Sequence, residues 1–260
     1  MLVLDGLPGH GDYPPEVYDV IAPVEDRHWW HASRNDVIRL ALAGERRRRN
    51  LHTLLEVGCG TGFVLAHLER MGFSVCGLDM QIEGLRHARG RTTAPLLRSG
   101  RPEIPLAEPV DALALCDVLE HTDEEPLLAA CRQAIRPGGL LLVTVPALPS
   151  LWSLEDEMSG HKRRYTRTTL RRALTDHGFR VVTLRPFHTA VTPLAWWFRT
   201  RAGLPDGELP DPVEFFSSSL APPGRLISGV MRSVLWAENR LGALLPLPLG
   251  SSLLALAEPV

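Results

Sequence analysis

The sequence predicts a doubly wound α/β fold, with a seven-stranded, mostly parallel sheet and helices on both faces. Three observations predict it. Short apolar runs alternate with amphipathic stretches through the middle of the chain, glycines punctuate the ends of those stretches, and a Gly-x-Gly-x-Gly turn follows the first apolar run. Strands buried on both faces read as near-continuous Val/Ile/Leu runs, and helices must cover them. The 260 residues suit one domain; single α/β units often reach ~250 residues.

Residues 1–50 open rich in Pro and Gly and then turn helical. Val37, Ile38, Leu40 and Ala41 give Asp36–Leu42 one buried helical face. The run Arg46–Arg49 reads as the solvated end of that helix, where cations offset the macrodipole. A nucleic-acid patch is the alternative. Strands are expected at Thr53–Val57, Ser74–Leu78, Pro95–Arg98, Ala112–Cys116, Leu140–Val145 and Arg180–Leu184. Helices are expected at 63–71, 80–89, 124–136 and 167–177. Gly72, Gly138 and Gly178 each follow a helical stretch, where a left-handed cap favours glycine. Residues 188–249 leave the alternation, with Pro-rich loops at 204–212 and 221–223. Two apolar helical pieces lie there, around Leu194–Arg199 and Leu226–Leu245. Residues 250–260 read as a closing antiparallel strand.

Composition narrows the class. Hydrophobic residues make up 45% and charged residues 22%, which excludes a disordered or collagenous chain. A net charge of −2 supplies no basic field, so no nucleic-acid partner is expected. Cys59, Cys76, Cys116 and Cys131 show no C-x-x-C spacing. That fits a reduced, cytoplasmic setting, with no disulfide framework and no metal site expected. No secretory signal is evident at the N-terminus. The longest apolar stretch, Leu241–Ala257, is broken by Pro246, Pro248 and Gly250, so no membrane span is expected.

The strongest motif is Leu54-Leu55-Glu56-Val57-Gly58-Cys59-Gly60-Thr61-Gly62, a strand and a glycine turn leading into a helix. Glycines permit unusual dihedrals and close backbone approach to a ligand. The crevice at the first strand binds adenosine-type cofactors in such sheets. The spacing departs from the G-x-G-x-x-G of dinucleotide binders, and the Lys-Ser/Thr pair of a P-loop is missing. Glu56 ends the first strand, and Asp79 ends the second, 17 residues after Gly62. An acid at the second position can accept both ribose hydroxyls. A carboxylate before the turn would repel a pyrophosphate and suits a cation. The sign of charge therefore favours a sulfonium amino-acid cofactor over NAD.

With these residues the chain resembles the class I S-adenosylmethionine-dependent methyltransferases, over about 51–187 and the final strand. Asp111-Ala-Leu-Ala-Leu-Cys116-Asp117-Val-Leu-Glu120-His121 resembles that family's fourth-strand motif, and Ile135-Arg136-Pro137-Gly138-Gly139 its lead into the fifth strand. The resemblance implies S-adenosyl-L-methionine as cofactor and a Rossmann-like methyltransferase fold. It implies contacts from Glu56, Gly58, Cys59, Gly60 and Gly62 to the methionine part, from Asp79 and Met80 to the ribose, and from Cys116 and Asp117 to the methyl-donor pocket. One departure stands out: Gly100 occupies the position where family members often hold the adenine amino group with Asp. Ser99, Gly100 or backbone groups would take that place.

Methyl transfer is an in-line displacement, so the protein mainly aligns the nucleophile. A base is needed only where the nucleophile must lose a proton. His121 and His161 are the candidates for it. Trp29, Trp30 and His31 suggest an N-terminal lid, or a helix docking its Trp face on the sheet. Trp152 and the stretch Gly160-His161-Lys162-Arg163-Arg164-Tyr165-Thr166 follow the fifth strand on the ligand side. Arg164 and Tyr165 either hold an acceptor or anchor the loop, with Thr166 capping the next helix. The HWW and GH-x-RRYT stretches together resemble a bacterial small-molecule subgroup. Trp196 and its aromatic neighbours suggest a substrate cap or a helical hairpin burying its rings. The expected organisation is a single domain: a lid at 1–50, a cofactor core at 51–187, a cap at 188–249 and the closing strand at 250–260.

The expected function is methylation of a small-molecule acceptor at O, N or C, in specialised metabolite biosynthesis. Rival readings are other chemistry on the same cofactor, a non-catalytic cofactor-binding module, RNA methylation, and an NAD-dependent reductase. A homodimer stays open.

Overall fold

The computed structural model describes residues 2–3, 14–101, 103–202, 209–221, 224–245 and 247–260. In chain order they form β1 (Leu2–Val3), α1 (Val17–Glu25), α2 (Trp29–Arg49), β2 (Thr53–Val57), α3 (Phe63–Arg70), β3 (Ser74–Asp79), α4 (Ile82–Arg89) and β4 (Leu96–Arg98). There follow β5 (Val110–Cys116), α5 (Glu124–Ala134), β6 (Ile135–Pro146), a 3₁₀ turn (Pro149–Leu151), α6 (Leu154–Met158), α7 (Arg167–Asp176) and β7 (Phe179–Phe187). The chain ends with α8 (Thr192–Ala202), α9 (Pro212–Ser219), α10 (Arg225–Leu244) and β8 (Ser252–Pro259).

The strands form one sheet in the order β1-β4-β3-β2-β5-β6-β8-β7. Strand β8 runs antiparallel to both β6 and β7, and the other pairs are parallel. Strand order reverses between β2 and β5, and ligands bind at such a switch point beside the C-terminal strand ends. Alternate residues of each strand face opposite layers. Leu54, Ala112, Leu140 and Leu142 pack against Ile38 and Leu42 of α2, Val64, Leu65 and Leu68 of α3, and Leu85 of α4. Leu55, Leu113, Leu115, Leu141 and Val143 face Leu128 and Cys131 of α5 and Leu170 and Leu174 of α7.

The six core strands, the closing strand and the four core helices lie where the sequence places them, within a few residues. Four features differ. A two-residue strand, Leu2–Val3, adds an eighth, edge member by pairing with Leu97 and Arg98; two residues carry no readable alternation. Helix α2 starts at Trp29, with His28 Nδ1 accepting the Trp30 N–H (3.3 Å). Helix α5 ends at Ala134, and Gly138 (φ +78°) lies inside β6, where the β5–β6 register shifts. That is the signature of a bulge rather than a helix cap. A third helix, α9, begins in the stretch read as Pro-rich loop. Asp211 accepts the Glu214 N–H (2.9 Å) and Pro212 takes the first helical position, where its missing N–H costs nothing.

The arginine run does end α2. Arg46 donates to the carbonyls of Met71 (2.6 Å) and Gly72 (2.7 Å), and Arg49 pairs with Glu45 and Glu258. Among the described residues, no helix is long and apolar enough to cross a membrane.

The glycine turn sets the tightest steric demand near the switch point. Gly58 (φ +73°) has Val118 so close that an added Cβ would meet its Cγ2 at 2.4 Å, whereas Gly60 (φ +48°) has nothing within 4 Å. Left-handed backbone costs a non-glycine residue roughly 1–2 kcal/mol, and overpacking adds about 1–3 kcal/mol. Urea unfolding should therefore show Gly58→Ala losing more stability than Gly60→Ala. Equal losses would mean that Val118 yields without cost.

Candidate active site

A cavity of about 820 Å³ lies over the C-terminal ends of β2, β3, β5 and β6, within the ~300–1,000 Å³ range of small-molecule sites. Its floor comes from the glycine turn. The Gly58 and Cys59 N–H groups donate to the Leu78 carbonyl (2.8 and 3.1 Å), locking the turn onto β3. Asp79 is buried, and its carboxylate accepts the N–H groups of Gly60 (2.7 Å) and Gln81 (2.8 Å). Glu56, Gly58, Cys59, Gly60, Asp79, Met80, Ser99, Gly100, Cys116 and Asp117 all line the cavity. Gly62 is not among the described lining residues. It caps α3 with φ +74°, and an added Cβ would stand 2.7 Å from that of Ala88. Its place is explained by helix packing rather than by ligand contact.

The electrostatics of this wall are unbalanced. Glu56 is 1% exposed and its Oε2 has no hydrogen-bond partner. Burial pushes its carboxyl well above the usual range; the Asp79 and Glu25 carboxylates add to this and Arg34 opposes it. Arg34 is buried on α2, donates to Asp117 Oδ2 (2.5 Å), and lies 4.9 Å from the Trp30 ring centre. Asp117 adopts φ +57° and also accepts from Thr144 Oγ1 (3.2 Å). Glu25 at the end of α1 accepts from Thr61 Oγ1 (2.5 Å) and from Arg91 (2.5 Å), which pins the α1–α2 corner onto the glycine turn.

Sequence reasoning missed Arg34 and Glu25. A signal for Arg34 exists: it sits four residues after Trp30, on the same helical face. Glu25 carries none, because its partners are remote in sequence.

Trp29, Trp30 and His31 line the upper wall at the start of α2, packed around His188 and Phe63. The far end is built by two loops latched together. The Lys162 N–H donates to the Glu120 carbonyl (2.8 Å), Lys162 Nζ meets Asp123 (3.0 Å), and Arg163 meets Glu124 (3.3 Å). This brings the His121 and His161 rings within 4.7 Å, and both line the cavity. Asp156 is fully buried between His161 Nδ1 (2.8 Å) and Arg164 Nε (2.7 Å). Burial would raise its carboxyl, but the His161 hydrogen bond and Arg164 outweigh this and hold it at about 2. An ionised Asp156 can only accept, so His161 Nδ1 donates to it, which leaves Nε2 as the ring atom turned away from Asp156.

Trp152, Tyr165 and Trp196, each offered to the acceptor as one of its readings, are not among the described lining residues. Trp152 donates its indole N–H to Glu157 (2.6 Å). Tyr165 is 2% exposed, and its hydroxyl is 2.7 Å from Glu124 Oε1 and 3.3 Å from the Leu119 carbonyl. It anchors the loop, while Thr166 caps α7 by accepting the Thr169 N–H. Trp196 is 51% exposed. Residues 188–249 contribute Leu194, Ala195 and Phe198 of α8, Phe216 of α9 and Met231 of α10 to the lining. Arg164 does line the cavity, though its guanidinium is committed to Asp156 and the Ala147 carbonyl (2.9 Å).

Breaking one side of a buried ion pair costs about 3–5 kcal/mol, because the other charge is left desolvated. Arg34→Met should fall toward the lower end, since the Asp117 side chain is 18% exposed. Adding Asp117→Asn should restore part of the loss in thermal unfolding. A coupling near zero in that double-mutant cycle would show that the pair contributes nothing.

With this geometry in hand, comparison with known proteins places the chain. A family profile described as "Methyltransferase domain" matches residues 29–184. A Mycolicibacterium smegmatis protein, named a probable S-adenosylmethionine-dependent methyltransferase, is 30% identical over 172 residues, 64% of this chain and 65% of that protein. The human mitochondrial ubiquinone biosynthesis O-methyltransferase is 33% identical over 102 residues, 35% of this chain and 28% of that protein. Both matches span less than two thirds of the relative's own length. Among solved structures, an S-adenosylmethionine-dependent methyltransferase from Clostridium acetobutylicum shares the fold. Its TM-score is 0.52 at 10% identity, covering 88% of this chain and 91% of that one. The chain belongs to the methyltransferase-domain family.

Proposed function

We propose that the chain transfers a methyl group from S-adenosyl-L-methionine to the hydroxyl of a small molecule with an apolar body. The observation that carries the cofactor half is the buried Glu56 carboxylate, whose Oε2 has no partner, beside a glycine turn with no room for a Cβ at Gly58. Such a group fits a cationic amino-acid cofactor: an ammonium or sulfonium would supply the missing counter-charge. Asp79 would hold the ribose, and Ser99 and Gly100 would meet the adenine edge. When bound, the cofactor supplies an activated methyl group and needs no protein nucleophile.

The acceptor half rests on contrast. Leu194, Phe198, Phe216 and Met231 make one flank apolar, while Glu120, His121 and His161 make the far end polar. An apolar body would settle against the cap and direct its hydroxyl to the histidine end. There His161, oriented by Asp156, and His121 would receive that hydroxyl and favour loss of its proton. The name of the human relative, an O-methyltransferase, agrees with a hydroxyl acceptor. A place in specialised metabolism, a single chain organised as lid, core, cap and closing strand, and a cytoplasmic setting extend the same reading.

Calorimetry of cofactor binding tests the first half. Losing a charge-assisted hydrogen bond costs about 1.5–3 kcal/mol, so Asp79→Ala should weaken binding roughly ten- to a hundredfold. A cation favours ionised Glu56, so binding expels a proton wherever the free carboxyl is protonated. Affinity should therefore rise with pH up to the raised Glu56 value and level off above it. Glu56→Gln should remove that slope. An unchanged slope would place the proton on another group.

The second half is tested by a panel of phenols, catechols and aliphatic alcohols, with product mass as the readout. Gain of one CH₂, lost in His161→Ala at unchanged cofactor affinity, is the expected result. Methylation restricted to amines or to RNA would overturn it.

A further inference from the structure

We propose that Glu120, His121 and His161 form a three-ligand site for a divalent transition cation such as Zn²⁺, with one coordination position open to the cavity. One ligand atom from each of these residues lies within 4.8 Å of the others, and all three residues line the cavity. No local spacing announces the site: Glu120 and His121 come from the turn after β5, and His161 from the loop before α7. The backbone bond from Lys162 to Glu120 brings the two loops together.

Glu120 supplies the independent reason to expect an ion. Its side chain is 0% exposed, and neither carboxylate oxygen has a hydrogen-bond partner. A buried carboxyl that makes no hydrogen bond is costly unless something pairs with it. The cations near it are committed elsewhere, Arg34 to Asp117 and Arg164 to Asp156.

The second argument is the orientation of His161. Metal-bound histidines commonly donate their other ring N–H to a carboxylate, which fixes the tautomer and raises ligand basicity. His161 Nδ1 makes that bond to Asp156 (2.8 Å), which leaves Nε2 as the donor atom. Two imidazoles and one carboxylate suit Zn²⁺ and its transition-metal neighbours, whereas Mg²⁺ and Ca²⁺ prefer all-oxygen sets. Three protein ligands with a fourth position free is the pattern of catalytic rather than structural zinc. Tetrahedral bonds of ~2.0–2.2 Å bring ligand atoms to about 3.4 Å from one another, so closure needs only side-chain rotation.

The use of this ion rests on the acceptor reading above. A hydroxyl bound at the open position loses its proton to solvent at a lower pH, as metal-bound water does. Its oxygen keeps the electron pair and forms the bond to the methyl carbon as the bond from that carbon to the cofactor sulfur breaks. The histidine end then acts by holding the ion rather than by taking the proton itself.

The test uses the full chain stripped with a chelator and titrated with Zn²⁺ alone, in competition with a chromophoric chelator. One ion per chain is expected. Glu120→Gln and His161→Gln, which keep side-chain size, should each weaken it at least about tenfold. Co²⁺ in place of Zn²⁺ should give the visible absorption of a low-coordinate site. S-adenosylmethionine affinity should hold in both variants, which shows that they fold and separates this site from the cofactor reading. No stoichiometric Zn²⁺ in the wild type, or wild-type affinity in both variants, overturns the site. Full turnover of a hydroxyl acceptor by the stripped protein overturns its catalytic use.

Discussion

Desolvated negative charge at the switch point of the sheet is the constraint on which the rest of this molecule depends. Strand β2 ends one residue after Glu56 and strand β3 at Asp79; Asp117 and Glu120 follow β5, and all four acids line one cavity. Parallel strands start and stop together, so acids placed at their ends converge. Isolated buried carboxylates are costly, and each must be paired, hydrogen-bonded or protonated. The four take different routes. Asp117 is paired with Arg34, Asp79 is satisfied by two backbone N–H groups, and Glu56 and Glu120 keep oxygens without a partner. The two unsatisfied acids lie at the places where the proposed cationic ligands would sit. Ligand binding would then complete the charge balance of the fold, which couples cofactor and ion occupancy to stability.

The same charges explain why the N-terminal helices are attached where they are. Helix α2 brings Arg34 to Asp117, and α1 brings Glu25 to Thr61 and Arg91 beside the glycine turn. Neither contact is a surface ion pair of negligible worth, because Arg34, Glu25 and Thr61 are buried. Trp29, Trp30 and His31 therefore hang over the cavity from a support fixed at both ends. A wall held this way cannot move without disturbing the glycine turn or Asp117.

How much of this was legible follows from how local each cause is. The strands and core helices were readable because their apolar period is written in contiguous residues. The glycine turn, Asp79 and the segment from Cys116 to His121 were readable because strand–turn–helix geometry fixes a short spacing. Trp152 was read toward the acceptor, and Tyr165 was left between acceptor and loop anchor, for the opposite reason: the sequence shows an aromatic ring near a strand end, but not which way it points. Tyr165 turned inward to Glu124 and Leu119, anchoring the loop that carries His161. Helix α9 was hidden because Pro212 signals a loop in composition and a helix start in context. Arg34, Glu25 and the gathering of Glu120 with His161 depend on contacts across 36 to 83 positions for the first two, and on two separate loops for the third. No window of sequence contains them.

The glycine-turn side of the cavity is built on charge and hydrogen bonds, which allow few residue types at each place. The flank of Leu194, Phe198, Phe216 and Met231 offers shape. One methylene in an apolar pocket changes discrimination by only ~1–3 kcal/mol, and many apolar side chains fill a given volume. That flank can therefore be read as apolar and the far end as polar, while the outline of any acceptor stays encoded in packing. An acceptor with a hydroxyl at one end and an apolar body behind it satisfies both walls at once. A fully polar one would leave the cap's apolar wall without complementary surface and bury its own polar groups without partners.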